Sequence, residues 1–193
     1  MCSKNLIISI TVATFFLSIL TVSCASFEAS DKSKQTANHT ELKVSFVDQT
    51  WNGKTIPKGQ QCQCFGGKNP MTTTLKVNNI PPKANVIVME YSDRSFGPMD
   101  NGGHGIIGYK IKQGIRSVVI PSVAGHSFEL PDGFFIISPH KGSWWCKAGA
   151  YQPPCSGGKN NSYYVTIKAT YQSSNKKEDI KLFGKTVLEL GIY

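Results

Sequence analysis

The sequence predicts a mainly β domain, and three observations carry the prediction. Residues 85–91 and 104–111 are short apolar runs typical of central strands, and residues 164–168 alternate between apolar and polar side chains. Gly- and Pro-rich turns separate these runs, most clearly at residues 97–103 and 151–158. No internal repeat is found. We therefore expect a sheet protein with few helices.

The remaining strands follow in chain order. Apolar or alternating residues predict strands at 42–46, 74–77, 118–120, 134–137 and 165–171. Ile180, Phe183, Val187 and Leu190 recur at roughly helical spacing, so residues 177–190 are predicted to carry the only helix of any length. A final strand is the alternative, because Gly184 and the β-branched residues beside it disfavour a helix.

The first residues have the pattern of a secretory signal. Lys4 is followed by an apolar run to Val22 and then by small residues, which predicts a signal peptide over residues 1–23. Cys24 stands where a bacterial lipoprotein carries its acylated cysteine, and ordinary cleavage after Ala25 or Ser26 is the alternative. Residues 24–40 are polar and aperiodic, which predicts a flexible tether.

We therefore expect a domain over residues 41–193 in an exported protein: periplasmic, secreted, or a lipoprotein of the bacterial outer membrane. A lipid anchor on Cys24 would be its sole link to a membrane.

Charge indicates the kind of partner. The chain has 21 Lys and Arg against 12 Asp and Glu, a net charge of +9, which favours anionic partners. Its lysines are scattered, and no Arg cluster, zinc spacing or RNA-binding aromatic motif accompanies them, so a nucleic-acid partner is not expected.

Four cysteines belong to the predicted domain: Cys62, Cys64, Cys146 and Cys155. An even number in an exported chain predicts two disulfides. Cys62 and Cys64 are too close for an easy mutual bridge, so we expect each to pair with one of the two later cysteines. A local Cys146–Cys155 bridge is the alternative.

Three blocks in order resemble the phosphatidylethanolamine-binding protein family, including its bacterial Raf-kinase-inhibitor-like branch. The first block runs from Pro70 through Ile80-Pro81-Pro82 to Ser92-Asp93, the second is His104 at the start of a strand, and the third joins Pro154-Cys155 to Tyr164-Val165. The resemblance covers about residues 42–171. It implies a β-sandwich with few short helices and a small anion-binding pocket at one end.

Carrying the family pocket over residue by residue gives a mixed match. Asp93, His104, Tyr164 and Pro154 fall on family positions, whereas Tyr91 replaces an acidic residue. The family's His-Arg pair falls on Ser162 and Tyr163. The ligand-binding residues implied by the resemblance are Tyr91, Asp93, His104, Pro154, Ser162 and Tyr164. Because one imidazole and the arginine are lost, binding of a dianionic phosphate should be weaker than in a complete site.

The other histidines of the domain are expected to be surface residues rather than ligands. His126 and His140 lie in loops, where surface positions are commoner than ligand positions, and no two histidines have metal-ligand spacing. No catalytic signature is found, so we expect neither an enzyme nor a cofactor.

Two functional hypotheses follow. The first is an exported, non-enzymatic binding protein whose partly altered pocket takes a small anion or a phospholipid headgroup. The second is a protein–protein interaction module, for example an inhibitor of a protease or kinase, with a vestigial pocket and with Trp144 and Trp145 at the contact.

Overall fold

The structure, a computed structural model, describes residues 39–173 and 180–193. The predicted signal peptide, Cys24 and nearly all of the predicted tether lie outside the described residues. The described strands are β1 (Thr40–Glu41), β2 (Lys43–Phe46), β3 (Leu75–Asn78), β4 (Val86–Asp93), β5 (Ile106–Lys110), β6 (Ser117–Ile120), β7 (Phe134–Ser138), β8 (Ser162–Gln172) and β9 (Ile180–Ile192). Short 3₁₀ helices occur at Gln63–Phe65 and Gly97–Met99. The prediction of a mainly β fold is confirmed.

The strands form two sheets. The larger has the order β1-β9-β8-β4-β5-β7, and the smaller has the order β2-β3-β6. Strand β4 is central and antiparallel to both neighbours, with Val86 opposite Thr170 and Asp93 opposite Tyr163 on β8. Apart from the half-buried Glu90, every β4 residue is buried. A strand covered on both faces reads as a continuous apolar run, which is why residues 85–91 stand out in the sequence.

The core lies between the two sheets. On β3, Leu75 and Val77 are buried while Lys76 is exposed, which is the alternation of a strand with one face toward solvent. Their side chains join one apolar cluster with Ile87 of β4 and Ile167 of β8. This shared core fixes the strand ends from which the site loops extend.

The prediction of a helix near the C-terminus is wrong, and the alternative of a final strand is confirmed. Residues Ile180–Ile192 pair antiparallel along β8. Gly184 lies so close to Leu42 that a Cβ there would stand 2.9 Å from it. A glycine in a strand often marks such a close approach, and neighbouring Thr186 and Val187 favour strand geometry.

Within residues 39–173 and 180–193, no helix is long and apolar enough to cross a membrane.

Candidate functional site

A pocket of about 500 Å³ opens where β4 ends and four loops meet. One loop follows β4, one contains the Trp pair, one precedes β8, and one carries Cys64 and Phe65. The pocket is lined by Cys64, Phe65, Asp93, Ser95, Phe96, Met99, His104, Trp144, Trp145, Cys155, Ser156, Lys159 and Asn161. Its volume is in the range of small-molecule sites, and its wall is mostly apolar with a few polar groups, as such sites usually are.

Asp93, the last residue of β4, is the buried carboxylate of the pocket. It is 3% exposed. One oxygen accepts a hydrogen bond from the backbone N–H of Ser95 at 2.9 Å, and the other accepts one from the side-chain amide of Asn161 at 2.6 Å. A carboxylate has about four acceptor directions, so Asp93 can accept further bonds from a ligand.

His104 is the buried imidazole of the pocket, also 3% exposed. Its Nδ1 lies 2.8 Å from the carbonyl oxygen of Gln152. A carbonyl can only accept, so Nδ1 carries the proton and Nε2 keeps its lone pair. Burial lowers the pKa of His104 to about 4, while the bond to Gln152 and the charge of Asp93 oppose the shift in part. The ring is therefore neutral at pH 7.

Gly105 allows His104 to reach this position. Its φ of +115° is unfavourable for other residues, and a Cβ there would stand 2.0 Å from the carbonyl oxygen of Ala150. The backbones consequently approach closely enough for the N–H of Gln152 to donate to the carbonyl of His104 at 2.9 Å. The tight contact holds the imidazole against the segment that leads to β8.

Aromatic side chains form the mouth of the pocket. Trp144 is 77% exposed and Phe96 is 42% exposed. The ring of Trp145 lies between them, edge-on to Trp144 at 4.3 Å and to Phe96 at 6.2 Å between ring centroids. Phe65 completes the mouth. The sequence hypotheses assigned the Trp pair to a separate protein contact, whereas in the structure it lines the same pocket as His104.

Two disulfides build one wall of the pocket. Cys62 pairs with Cys155 and Cys64 pairs with Cys146, with Cα–Cα distances of 5.1 and 6.1 Å. The predicted pairing between the early and late cysteines is confirmed, and the alternative local Cys146–Cys155 bridge is wrong. The bridges tie the 3₁₀ helix at Gln63–Phe65 to both ends of the loop at 146–155, so that Cys64 and Cys155 line the pocket.

Of the predicted ligand-binding residues, Asp93 and His104 are brought together in the pocket. The other four have different neighbours. Tyr91 packs in the core against Tyr151, 4.7 Å between ring centroids. The carbonyl of Pro154 accepts the N–H of Cys62 at 2.8 Å.

Ser162 and Tyr164 lie near the exposed Arg94 rather than in the pocket. Arg94 donates to Ser162 Oγ at 3.2 Å, and its guanidinium lies 4.3 Å from the centroid of the Tyr164 ring. The Tyr164 hydroxyl donates to Asp100. Neighbouring residues on a strand point to opposite faces. It is therefore Tyr163 that meets His104 edge-on, 5.3 Å between ring centroids.

Several pocket residues were not among the predicted ligand-binding residues, because no local pattern marks them individually. Asn161 and Lys159 precede β8, and Phe65 and Phe96 stand alone in turns. A signal was nevertheless available in their positions, because each lies within two residues of a cysteine, a strand end or a Gly-rich turn that the sequence does mark.

His126 and His140 are buried, 1% and 4% exposed, so the expectation of surface positions is wrong. The Nδ1 of His126 donates to the carbonyl of Lys147 at 2.7 Å, and the Nε2 of His140 lies 3.2 Å from the same oxygen. The loops that carry the two histidines pack on this carbonyl beneath the disulfides. Burial lowers the pKa of both imidazoles.

Cys62, Cys146 and His126 bring ligand-type atoms within 4.8 Å of one another. A metal ion would require cysteine thiolates. Both cysteines are oxidised here, so this cluster offers a single imidazole and does not fit a metal centre.

Comparison with known proteins gives a likeness in fold. No family model and no curated protein matches the chain. Among solved structures, the crystal structure of a candidate homologue of phosphatidylethanolamine-binding protein from Chlamydia trachomatis is similar, with a TM-score of 0.47 and 17% identity, covering 80% of this chain and 97% of that one.

Proposed function

We propose that this chain is an exported, non-enzymatic binding protein of the phosphatidylethanolamine-binding type that takes a small headgroup-like ligand in the pocket at Asp93 and His104. One observation carries the proposal: two buried polar side chains converge at the base of a pocket of about 500 Å³ whose mouth is aromatic. Buried polar groups aimed into a largely apolar pocket are what fix the orientation of a small ligand.

The charges in the pocket favour a zwitterionic ligand over a bare dianion. His104 is neutral at pH 7, so it adds no positive charge, and its free Nε2 accepts a hydrogen bond rather than donating one. Lys159, which is exposed, is the cationic side chain among the lining residues. A phosphate group with an attached ammonium group suits this arrangement, with the phosphate near Lys159 and the ammonium near Asp93 and the aromatic rings.

A binding role is supported by the way one pocket hydroxyl is engaged. Ser156 Oγ donates its proton to the carbonyl of Tyr193 at 2.6 Å. A serine nucleophile would instead need its hydroxyl within hydrogen-bonding reach of a base. Export is supported by the two disulfides, which persist in oxidising compartments.

The proposal is tested by titrating the oxidised protein with phosphoethanolamine, inorganic phosphate and ethanolamine, followed by NMR. We expect saturable shifts at His104 and Asn161, largest with phosphoethanolamine. Asp93→Asn should remove the preference for the ammonium group. Tyr164→Phe is the matched control, because the Tyr164 hydroxyl bonds Asp100 and neither residue lines the pocket. Absence of any response at millimolar concentrations of all three compounds would refute the proposal.

The alternative function is a protein–protein interaction module, and the exposure of Trp144 is the observation that favours it. Exposed tryptophans beside a disulfide-tied loop suit an interface hot spot. Trp144→Ala would then abolish binding of the protein partner, whereas His104→Gln would leave it intact. Under the pocket proposal, His104→Gln should weaken binding of the small ligand more than Trp144→Ala does.

A further inference from the structure

The two sulfurs of the Cys64–Cys146 disulfide lie in different surroundings. Cys64 is exposed and lies on the wall of the pocket, next to Phe65 and across from Trp145. Cys146 is buried. Attack by an external thiolate requires access to one sulfur of a disulfide. Access here is through Cys64, so Cys146 would be the sulfur that leaves.

A base lies at the leaving sulfur. The Nε2 of His126 is 3.8 Å from Cys146 Sγ. Because His126 donates its Nδ1 proton to the carbonyl of Lys147, the lone pair of Nε2 is directed to the opposite side of the ring, where the sulfur lies. Cysteine paired with a histidine in this way is the arrangement that raises thiol reactivity.

We propose that Cys64–Cys146 is a redox-active disulfide that exchanges with thiols entering the pocket, and that His126 carries the proton of Cys146. This activity goes beyond the binding function proposed above and does not depend on it.

The exchange balances without a further reactant. A substrate thiol loses its proton to solvent, and its thiolate attacks Cys64 Sγ. A sulfur–sulfur bond forms between substrate and Cys64 while the Cys64–Cys146 bond breaks. The electron pair of that bond goes to Cys146, which leaves as a thiolate and is protonated from solvent by way of His126, whose Nε2 first takes up the proton and then passes it on. A second thiol of the same substrate loses its proton to solvent and displaces Cys64, which leaves as a thiolate and takes a proton from solvent. The substrate dithiol is oxidised to a disulfide, and the protein disulfide is reduced to two thiols by the same two electrons.

The neighbours of His126 set its acid–base behaviour. His140 faces it edge-on at 6.1 Å between ring centroids, and Lys147 lies beside the shared carbonyl. The burial of His126 and the nearby positive charge of Lys147 lower its pKa. The neutral imidazole therefore prevails at pH 7 and can take the proton of Cys146 when the disulfide re-forms, which is the direction that general-base catalysis accelerates.

The first test is made on the oxidised wild-type protein with glutathione as the thiol, at graded ratios of reduced to oxidised glutathione. Free thiols are alkylated under acid quench and located by peptide mass spectrometry. We expect Cys64 to carry glutathione and Cys146 to be free at ratios that leave Cys62–Cys155 closed. Opening of Cys62–Cys155 first, or resistance of both bridges until the protein is unfolded, would overturn the proposal.

The second test addresses His126. Its φ is +57°, a conformation that asparagine tolerates, so His126→Asn is the variant of choice. We expect the rates of opening and re-forming of Cys64–Cys146 to fall about tenfold or more, with a changed pH profile, as general acid–base catalysis requires. His140→Asn is the control, because His140 lies beside the same carbonyl, and it should retain the wild-type rate. Equal rates and pH profiles in all three proteins would show that His126 is merely structural.

A 2-mercaptoethanol arm distinguishes the source of the thiol. The exchange rates with glutathione and with 2-mercaptoethanol are compared at equal thiolate concentration. A faster rate with glutathione would show that the pocket holds the peptide part of a thiol substrate, and equal rates would show that any small thiol serves. Failure of the headgroup titration with success here would refute the binding proposal alone.

Discussion

The imidazole of His104 donates a hydrogen bond to the backbone carbonyl of Gln152 across 48 residues of chain, 2.8 Å from nitrogen to oxygen. The bond fixes the tautomer of the pocket histidine and, with it, which ring nitrogen keeps its lone pair. It also joins the start of β5 to the segment that leads into β8. The tautomer of the imidazole and the position of this segment are therefore set by the same contact.

Because burial lowers the pKa of His104 to about 4, folding stability should depend on pH. The unfolded pKa is near 6.5, so the folded state binds fewer protons than the unfolded state between these values. The stabilising contribution is fully present above pH 6.5 and is lost as the pH falls towards 4. It amounts to about 3 kcal/mol at most, at 1.36 kcal/mol per unit.

Urea unfolding of the wild type and of His104→Gln at pH 7.5, 6 and 5 measures this effect. The wild type should lose stability faster on acidification than the variant. The lowered pKa values of His126 and His140 act in the same direction in both proteins, so they cancel in the comparison. Parallel pH profiles would contradict the assignment to His104.

Tyr163 and Tyr164 should have separable roles. Tyr163 accepts the N–H of Cys155 at 3.2 Å and packs against His104, so Tyr163→Phe should weaken ligand binding and shift the His104 resonances. Tyr164→Phe removes the bond to Asp100 and should cost about 1–2 kcal/mol of unfolding free energy without affecting the pocket. Calorimetry and the ligand titration distinguish the two. A loss of ligand affinity in Tyr164→Phe alone would favour the sequence-based assignment.

These two tyrosines show which part of the site could not be predicted from the sequence. Asp93 and His104 were predicted from the family resemblance, and each also stands at a strand end next to a turn that contains glycine. Tyr163 could not be separated from Tyr164, since the choice depends on which face of β8 meets the pocket. The pairing of Asp93 with Tyr163 fixes that face, and a shift of one residue would reverse it.

The predictions of a C-terminal helix and of exposed histidines were wrong for a different reason. Ile180, Phe183, Val187 and Leu190 recur as a helix requires, yet β8 offers eleven residues for pairing, and that tertiary partner is invisible in the local pattern. His126 and His140 are buried because their loops pack on the carbonyl of Lys147 beneath the disulfides. A burial that depends on contacts between distant loops leaves no periodic signal.

The two disulfides should contribute non-additively to stability. With Cys62–Cys155 closed, Cys64–Cys146 closes a loop of roughly ten residues, although the cysteines are 82 apart in sequence. By loop-closure entropy, removing either bridge alone costs about 3 kcal/mol, whereas removing both costs about 7 kcal/mol. Denaturation of the two paired Cys→Ala variants and of the quadruple variant measures this. Equal losses for the first and second removal would contradict the nested-loop argument.

Gly105→Ala should be far more damaging than a second glycine substitution with a similar backbone requirement. Gly105 and Gly158 both have positive φ, +115° and +78°. A Cβ at Gly105 would stand 2.0 Å from the carbonyl oxygen of Ala150, whereas a Cβ at Gly158 would have no other atom within 4 Å. Gly158→Ala should therefore cost about 1 kcal/mol, from backbone strain alone.

Gly105→Ala adds a steric conflict that only a backbone shift can relieve, so we expect a loss of about 3 kcal/mol or more. The shift would separate His104 from Gln152, and the tautomer of the imidazole would no longer be fixed. Nitrogen NMR of the histidine ring reads the tautomer directly, while unfolding gives the stability. If Gly105→Ala keeps the wild-type tautomer and loses no more stability than Gly158→Ala does, the close approach at Ala150 does not position the pocket histidine.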